Sequence, residues 1–130
     1  MKKFSTRSLK ALSGVHPDLI AVTRLALSRC VVDFTVVEGV RDLETQKRNV
    51  AKGVSQTLKS RHLVQDDGFG HAVDVYPFID GSVRVEAPDE DFKAIAYAMK
   101  SAAEELGVII TWGGDWKSFC DMPHYQIERS

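Results

Sequence analysis

The stretch Ser60-Arg61-His62 through Gly70-His71-Ala72-Val73-Asp74 decides how this chain is expected to fold. It places an imidazole, His62, and a carboxylate, Asp74, at the two ends of a loop that contains glycine. Residues two apart on a β-strand share a face, so Ser60 and His62 would project together, as would Asp74 and Tyr76. The pattern therefore predicts two antiparallel strands whose polar side chains gather on one face of a sheet.

A second cluster, Asp121-Met122-Pro123-His124, adds a carboxylate and an imidazole near the C-terminus. Two histidines and one aspartate form a three-ligand set that suits Zn²⁺ with an open fourth position for water. Asp121 would then be a spare acid, available as a general base. Residues three apart on a strand point to opposite faces, so a shared site requires irregular backbone at Met122-Pro123. On the residues alone, structural His–Asp contacts remain the alternative interpretation.

In this order, the motifs resemble the zinc peptidase family of D-Ala-D-Ala carboxypeptidases and phage L-alanyl-D-glutamate endopeptidases. The family pattern is Ser-x-His, a short turn, Gly-x-Ala-x-Asp and a later acid-x-x-His. The stretch Val36-Val37-Glu38-Gly39-Val40-Arg41 also resembles the family's strand that ends in a substrate-facing arginine. The small size of the chain and the aspartate in the last motif are more similar to the phage endolysin branch.

The resemblance implies a zinc peptidase in which His62, Asp74 and His124 hold Zn²⁺. Asp121 would be the general base, and Arg41 would help to stabilise the tetrahedral oxyanion. The implied function is cleavage of the peptide stem of bacterial peptidoglycan, at the L-Ala–D-Glu bond, by an endolysin for host lysis. One alternative is a D,D-carboxypeptidase that removes terminal D-Ala. Another is a zinc-stabilised cell-wall binding module without catalysis, against which the spare acid argues.

Three further residues are candidates to bind the substrate. Ser60 belongs to the Ser-x-His motif, and Tyr76 would share the face of Asp74. Trp112 opens the turn Trp112-Gly113-Gly114-Asp115-Trp116, which is either a structural lid on the core or a wall of the substrate groove. The sequence leaves these two interpretations of the turn open.

The chain departs from the family pattern in one place, since Leu63 to Phe69 makes the loop between His62 and Gly70 longer than the family's turn. A longer hairpin loop still leaves its strand ends facing each other. His71 is nearer to Asp74 in sequence, but on a strand the two would point to opposite faces. His62 is therefore the preferred ligand.

Composition limits the remaining choices. With 130 residues the chain is expected to form a single domain, 1–130. The resemblance implies that this is a zinc peptidase catalytic domain, and it is expected to act as a monomer. A net charge of -1 gives no general attraction to nucleic acid or to an anionic membrane. Cys30 and Cys120 are expected to be free thiols rather than a disulfide. The loop acids Asp66 and Asp67 are expected to be solvated rather than to bind Ca²⁺, which needs six or more oxygens.

The N-terminus is basic, but no apolar segment follows it, so we expect no signal peptide. No apolar run reaches the length of a membrane span. The chain is therefore expected to be made and folded in a cytoplasm. For a phage endolysin, the resemblance implies the cytoplasm of the host cell, with action on the cell wall after a separate pore-forming protein releases the enzyme.

The patterning predicts an α+β fold, in which helices pack on one side of a small antiparallel sheet and the zinc site lies on the sheet face. Apolar spacing predicts helices from about Pro17 to Cys30 and from about Pro88 to Gly107. A polar helix is expected at 43–52, a hairpin at Asp80-Gly81, and strands at 31–40, 60–64, 72–77, 108–112 and 124–127.

Overall fold

The computed structural model describes residues 3–41, 48, 51, 61–118 and 120–128 of the chain. Helices α1 (Thr6–Ala11) and α2 (Pro17–Arg29) come first and are followed by strand β1 (Phe34–Glu38). The later elements are β2 (Ala72–Ile79), β3 (Ser82–Val83), α3 (Asp89–Leu106), β4 (Ile110–Trp112), a 3-10 turn (Gly113–Asp115) and β5 (His124–Ile127). This combination of a small sheet with helices confirms the predicted α+β class.

The sheet is antiparallel, and its main path runs β1-β2-β5-β4, with β3 paired to β2. The hairpin between β2 and β3 turns at Asp80 and Gly81, which both have positive φ angles of 52° and 80°. Two such residues in succession are typical of the tight turn whose twist matches that of the flanking strands. The hairpin expected at these residues is confirmed.

Alternation along β2 and β5 gives the sheet two different faces. One face packs against α2 and α3, and its side chains on these strands are each at most 1% exposed: Val73, Val75, Tyr125 and Ile127. Successive strand side chains point to opposite sides, so Asp74 and His124 project from the other face. The helices therefore supply the hydrophobic core on one side and leave the opposite side for polar chemistry.

The two long helices begin and end where the sequence indicates. Pro17 occupies the first position of α2, and the His16 side chain accepts a hydrogen bond from the Asp18 amide at 3.0 Å. Proline at this position has no amide hydrogen that would need a partner. Helix α3 ends at Gly107, whose φ of 71° is the left-handed conformation that favours glycine at a helix C-terminus.

The strand expected from Ser60 to Val64 is wrong for its described part, residues 61–64. This segment forms a turn and a bend with only an isolated bridge between Val64 and Gly70. The Gly70 amide donates to the Gly14 carbonyl, and the His16 amide donates to the Gly70 carbonyl, both at 2.9 Å. These hydrogen bonds fix the end of the loop against the start of α2, so no regular β-ladder forms there. Ser60 and nearly all of the expected helix 43–52 lie outside the described residues.

The structure bears on two further expectations, the state of the cysteines and the absence of a membrane span. Cys30 is buried and Cys120 is exposed, and neither of them forms a disulfide. Among the described residues, no helix has both the length and the apolar character that crossing a membrane requires.

Candidate active site

The pairing of β2 with β5 brings a carboxylate and an imidazole together. Asp74 lies directly opposite His124 in the register of the two strands, and side chains at such opposed positions are neighbours on one face. The Nδ1 atom of His124 is 3.4 Å from Oδ1 of Asp74. The centre of the sheet therefore supplies two of the three predicted metal ligands.

The third predicted ligand, His62, reaches the same carboxylate from the loop. Its Nε2 atom lies 3.2 Å from Oδ1 of Asp74. The Arg41 amide donates to the His62 carbonyl and the His71 amide donates to the Arg61 carbonyl, each at 2.8 Å. The first bond ties His62 to the segment that follows β1, and the second closes the base of the loop, so the extra residues do not separate His62 from Asp74.

The three side chains form a compact group of ligand atoms. One atom each from His62, Asp74 and His124 lies within 4.8 Å of the other two. Both histidines are buried, at 2% and 6% exposed. In the part of the chain that the structure describes, no other set of three His, Cys, Asp or Glu side chains is this close. Two imidazole nitrogens and a carboxylate oxygen are a donor set that suits a divalent transition metal.

Hydrogen bonds at the outer nitrogens favour the tautomers that metal binding requires. The Nδ1 atom of His62 lies 2.7 Å from the Gly39 carbonyl oxygen, and Nε2 of His124 lies 2.8 Å from Oε1 of Gln126. Both partners are acceptors, so each outer nitrogen carries the hydrogen. In the neutral imidazoles that would bind a metal, the lone pairs lie on Nε2 of His62 and Nδ1 of His124, the atoms that face Asp74. In a protonated imidazole the same atom carries a hydrogen and donates to Asp74.

The electrostatics of the group favour a charged carboxylate. Burial alone would raise the pKa of Asp74, but hydrogen bonds from His124 and His62 hold it well below its ordinary value of 3.8. Burial lowers the pKa of His124, and the stronger effect of its bonds to Asp74 and Gln126 raises it overall. Asp74 is therefore an anionic centre to which both imidazoles are directed, as a cation site requires.

Asp121 stands beside this group on an irregular segment. Met122 and Pro123 form a turn, and the His124 amide donates to the Asp121 carbonyl at 3.1 Å. This turn is the break in the strand geometry that the spacing of Asp121 and His124 requires. Burial and the charge of Asp74 raise the pKa of the Asp121 carboxyl group, against the opposing charges of His124, His62 and Arg41. The charges of all three candidate ligands therefore act on the Asp121 carboxyl group, although Asp121 is not one of the ligands.

The position of Asp121 depends on a close approach to Gly113. The Asp121 amide donates to the Gly113 carbonyl at 2.9 Å. A Cβ atom at residue 113 would collide with the carbonyl oxygen of Asp121, which is a backbone atom and has no rotamer to change. The absence of a side chain at Gly113 is what allows this segment to approach the site.

Because Asp121 is the general base predicted from the sequence, Gly113→Ala is expected to lower kcat by about tenfold or more, since a shift on the order of 1 Å in such a group can cost up to about 100-fold. Activity assays and thermal melts of the same preparation would measure this effect. Gly107→Ala is the control, since nothing lies within 4 Å of its added Cβ but its φ of 71° strains alanine. The control should lose stability and keep kcat; equal kcat values for the two variants would contradict this role of Gly113.

Arg41 lies close to the acids of the site, and its side chain is held by Glu38. The Nε atom donates to Oε1 of Glu38 at 2.6 Å, and the arginine side chain is only 11% exposed. Burial opposes the charge, but the bond to Glu38 and the charges of Asp74 and Asp121 raise the pKa of Arg41 overall. A register shift in β1 between Val36 and Glu38 sets Glu38 opposite Asp74. This irregularity thus places Glu38, which binds the Arg41 side chain, beside the site.

An open groove of about 330 Å³ adjoins Asp121. Tyr76 lines this groove, and its ring stacks edge-to-face on Phe92 with a centroid distance of 6.0 Å. Burial raises the pKa of Tyr76, as do the charges of Asp74 and Asp121, so its hydroxyl stays protonated at neutral pH. The other lining residues are largely apolar: Val85, Ala87, Phe92, Cys120, Met122 and Pro123.

The two tryptophans of the Trp-Gly-Gly-Asp-Trp turn have different environments. Trp112 is 8% exposed, stacks on Tyr125, and its indole N–H donates to the Met122 carbonyl at 2.6 Å. Trp116 is 36% exposed, and its ring centroid is 5.1 Å from that of His124. Trp112 supports the turn that carries Asp121, whereas Trp116 is the aromatic ring that faces solvent beside the site. From the sequence, Trp112 alone was the candidate for substrate binding, because spacing does not show which ring is covered.

His71, the other histidine of the central motif, belongs to a separate cluster. Its Nε2 atom is 2.7 Å from Oδ2 of Asp67, and Nε2 of His16 is 3.7 Å from the same oxygen. The Phe69 amide also donates to Asp67, at 3.1 Å. Asp67 is therefore held by two residues at the end of its own loop, Phe69 and His71, and lies close to His16, which caps α2.

Comparisons with known proteins give a consistent family assignment. A family model described as phage L-alanyl-D-glutamate peptidase matches residues 1–130. The chain is 36% identical over 131 residues to the L-alanyl-D-glutamate peptidase of Escherichia phage T5, covering 98% of this chain and 90% of that protein. It is 37% identical over 96 residues to the L-alanyl-D-glutamate peptidase of Listeria phage A118, covering 74% of this chain and 31% of that protein.

A solved structure gives the same result. The fold matches the crystal structure of Serratia marcescens L-Ala D-Glu endopeptidase ChiX with a TM-score of 0.86 and 46% sequence identity. The match covers 98% of this chain and 90% of that one. Because the family match spans residues 1–130 and two of the relatives cover nearly the whole chain, the chain belongs to the phage L-alanyl-D-glutamate peptidase family.

Proposed function

We propose that this protein is a zinc-dependent endolysin that hydrolyses the L-Ala–D-Glu bond in the peptide stem of bacterial peptidoglycan. The observation that carries the proposal is the convergence of His62, Asp74 and His124 within a chain that matches this peptidase family over its whole length. As part of the same proposal, residues 1–130 form one catalytic domain that acts as a monomer. Such an enzyme acts on the cell wall after its release from the host cytoplasm.

Zinc is the proposed metal because the donor set fits it. Two neutral imidazoles and one carboxylate are a common three-ligand set in catalytic zinc sites, which keep a fourth position open. The Gly39 carbonyl and the Gln126 amide oxygen supply the outer hydrogen bonds that usually accompany metal-binding histidines. When bound, the metal supplies Lewis-acid polarisation of the substrate carbonyl and lowers the pKa of water.

Asp121 is proposed to move the proton in the reaction. Its carboxylate accepts a proton from the attacking water as the oxygen bonds to the carbonyl carbon of L-Ala. It then donates that proton to the nitrogen of D-Glu as the C–N bond breaks. The products are an L-Ala carboxylate, which stays on the glycan side, and a peptide with a new D-Glu amino terminus. A raised pKa suits this exchange, because the same group must accept and then release the proton.

Other residues are proposed to bind and orient the stem peptide. Arg41, already directed at the acids of the site by Glu38, places a fixed positive charge near the developing oxyanion. Tyr76 offers a hydroxyl at the groove beside Asp121. Ser60 is proposed as a hydrogen-bond partner of the substrate, and Trp112 contributes to binding through the turn that it supports. Trp116 presents the exposed ring beside His124.

Digestion of purified peptidoglycan tests the proposed function directly. We expect one zinc per chain, and new D-Glu amino termini in the mass spectra of the products. A chelator should abolish the release, and added zinc should restore it. Release of terminal D-Ala instead would indicate a D,D-carboxypeptidase, and bound zinc without any cleavage would indicate a binding module.

A further inference from the structure

The outer hydrogen bond of His124 depends on a side chain, unlike that of His62. For His62 the acceptor is the backbone carbonyl of Gly39, which no substitution removes from the chain. For His124 the acceptor is Oε1 of Gln126, at 2.8 Å. Gln126 lies two residues further along β5 and therefore on the same face of the sheet. The tautomer of this histidine consequently depends on the orientation of one amide.

The orientation of that amide is set by a second acceptor. The Nε2 atom of Gln126 donates to Oε1 of Glu128 at 2.8 Å. An amide nitrogen can only donate and an amide oxygen can only accept. If the amide rotated by 180°, its oxygen would face a carboxylate oxygen and its nitrogen would face the N–H of His124. Glu128 thus keeps the amide oxygen of Gln126 turned toward His124.

Glu128 is itself fixed from several sides. Its backbone amide donates to the Ile109 carbonyl at 2.9 Å, next to β4. Nη2 of Arg61 lies 3.8 Å from Oε2 of Glu128, so the chain of contacts also reaches the residue that precedes His62. Burial opposes the charge of Glu128, but hydrogen bonds from Gln126 and Thr111 lower its pKa overall. It is therefore a carboxylate, and acceptor only, at neutral pH.

We propose that Gln126 is a positioning residue of the metal site, which holds His124 with the hydrogen on Nε2 and the lone pair on Nδ1, and that Glu128 orients Gln126 for this role. The inference rests on the proposed metal site. Neither residue touches the substrate or the metal. They act indirectly, by fixing the direction of the lone pair on the His124 imidazole.

Gln126→Leu tests this role by removing both ends of the amide while keeping a side chain of similar size. We expect the zinc affinity to fall by about 10–100-fold, the range typical of lost outer hydrogen bonds. The affinity is measured by competition with a chromophoric chelator, independently of activity. Thermal melting of the metal-free variant shows whether it is folded. The same substitution at Gln65, whose amide donates to the Leu63 carbonyl at 2.7 Å, should leave the zinc affinity unchanged.

A swap of the two side chains separates positioning from mere packing. Gln126→Glu alone keeps an acceptor for His124 but sets two carboxylates against each other, so the affinity should fall. The double variant Gln126→Glu with Glu128→Gln restores a donor and an acceptor in reversed order. We expect it to recover the affinity to within about threefold of the wild type, since both hydrogen bonds, from His124 to residue 126 and between residues 126 and 128, can form again.

Three results would overturn the inference, and they have different meanings. Equal zinc affinities for the wild type and folded Gln126→Leu would remove the role of Gln126 alone. A double variant no tighter than Gln126→Leu would show that packing, rather than the hydrogen-bond order, is what matters. A wild-type protein that binds no zinc would overturn the metal site itself and this role with it.

Discussion

Asp121→Asn is expected to lower kcat by about 10²–10⁴-fold while zinc remains bound, because the variant loses proton transfer but no metal ligand. Asparagine has nearly the shape of aspartate, so the backbone bonds of this segment to Gly113 and His124 are preserved. The amide cannot accept the proton of the attacking water. Steady-state kinetics on a stem peptide, with zinc quantified in the same sample, would measure both effects.

The same substitution at Asp80 provides a matched control. The Asp80 side chain is 88% exposed on the β2–β3 hairpin, and asparagine tolerates its positive φ. Asp80→Asn should therefore keep both kcat and zinc. If Asp121→Asn retained more than a tenth of the wild-type kcat, Asp121 would not be the general base. If the variant lost its zinc, Asp121 would instead be supporting the metal site.

Asp74→Asn is expected to abolish zinc binding and activity together. Asp74 is the acid on which both imidazoles converge, at 3.2 and 3.4 Å. Its loss removes a ligand and the negative charge that attracts the cation, so the fall in zinc affinity should exceed the roughly 100-fold limit typical of outer-sphere changes. Metal analysis after dialysis, together with peptidoglycan digestion, would measure the two losses.

Asp74 also gives the metal-free protein a defined dependence on pH. Its pKa is lowered on folding, so its contribution to stability is present above the unfolded pKa of about 3.9 and is lost as the pH falls through the folded value. Metal-free Asp74→Asn should lack this contribution at neutral pH. Its melting temperature should therefore differ most from that of the wild type above pH 4, and the two should approach each other in acid.

The two histidines of the central motif give a control for ligand choice. His62→Gln should lose zinc, whereas His71→Gln should keep it, because His71 contacts Asp67 rather than Asp74. Since His71 is buried, its variant is compared as zinc per folded protein. If His71→Gln lost its zinc and His62→Gln kept it, the metal ligand would be His71 rather than His62.

Sequence patterns that span only a few residues predicted most of the helices and strands. The apolar spacing of Phe92, Ile95 and Met99 predicted α3, and Gly107 predicted its end. Alternation along residues 72–77 predicted β2, with Asp74 and Tyr76 on the face away from the core. These features follow from local periodicity and from the conformations that glycine favours, both of which can be read along the chain.

The strand expected at residues 60–64 failed in its described part because its backbone partners are distant in sequence. The end of the loop pairs with Gly14 and His16, which lie more than 50 residues earlier. No periodicity within four or five residues reveals such contacts. The same limit explains why Trp112 and Trp116 were indistinguishable, since only the packed chain shows that Trp112 is stacked on Tyr125.

The proposed positioning residues, Gln126 and Glu128, were not predicted from the sequence, although a signal for them existed. His124, Gln126 and Glu128 alternate along the last strand, so all three share one face. That pattern alone would have suggested contact between Gln126 and His124. The Gly39 carbonyl left no comparable signal, because any residue supplies a carbonyl and only its position near His62 makes it an acceptor.

By itself, the sequence determined the fold class, the face of the sheet that carries polar groups, and the residue types available for chemistry. The tertiary structure decided which histidine faces Asp74, which tryptophan is exposed, and which tautomer each imidazole adopts. The physical reason is the range of the interactions involved. Periodicity and capping act between residues a few positions apart, whereas His62, Asp74 and His124 are joined by strand register and loop hydrogen bonds that span most of the chain.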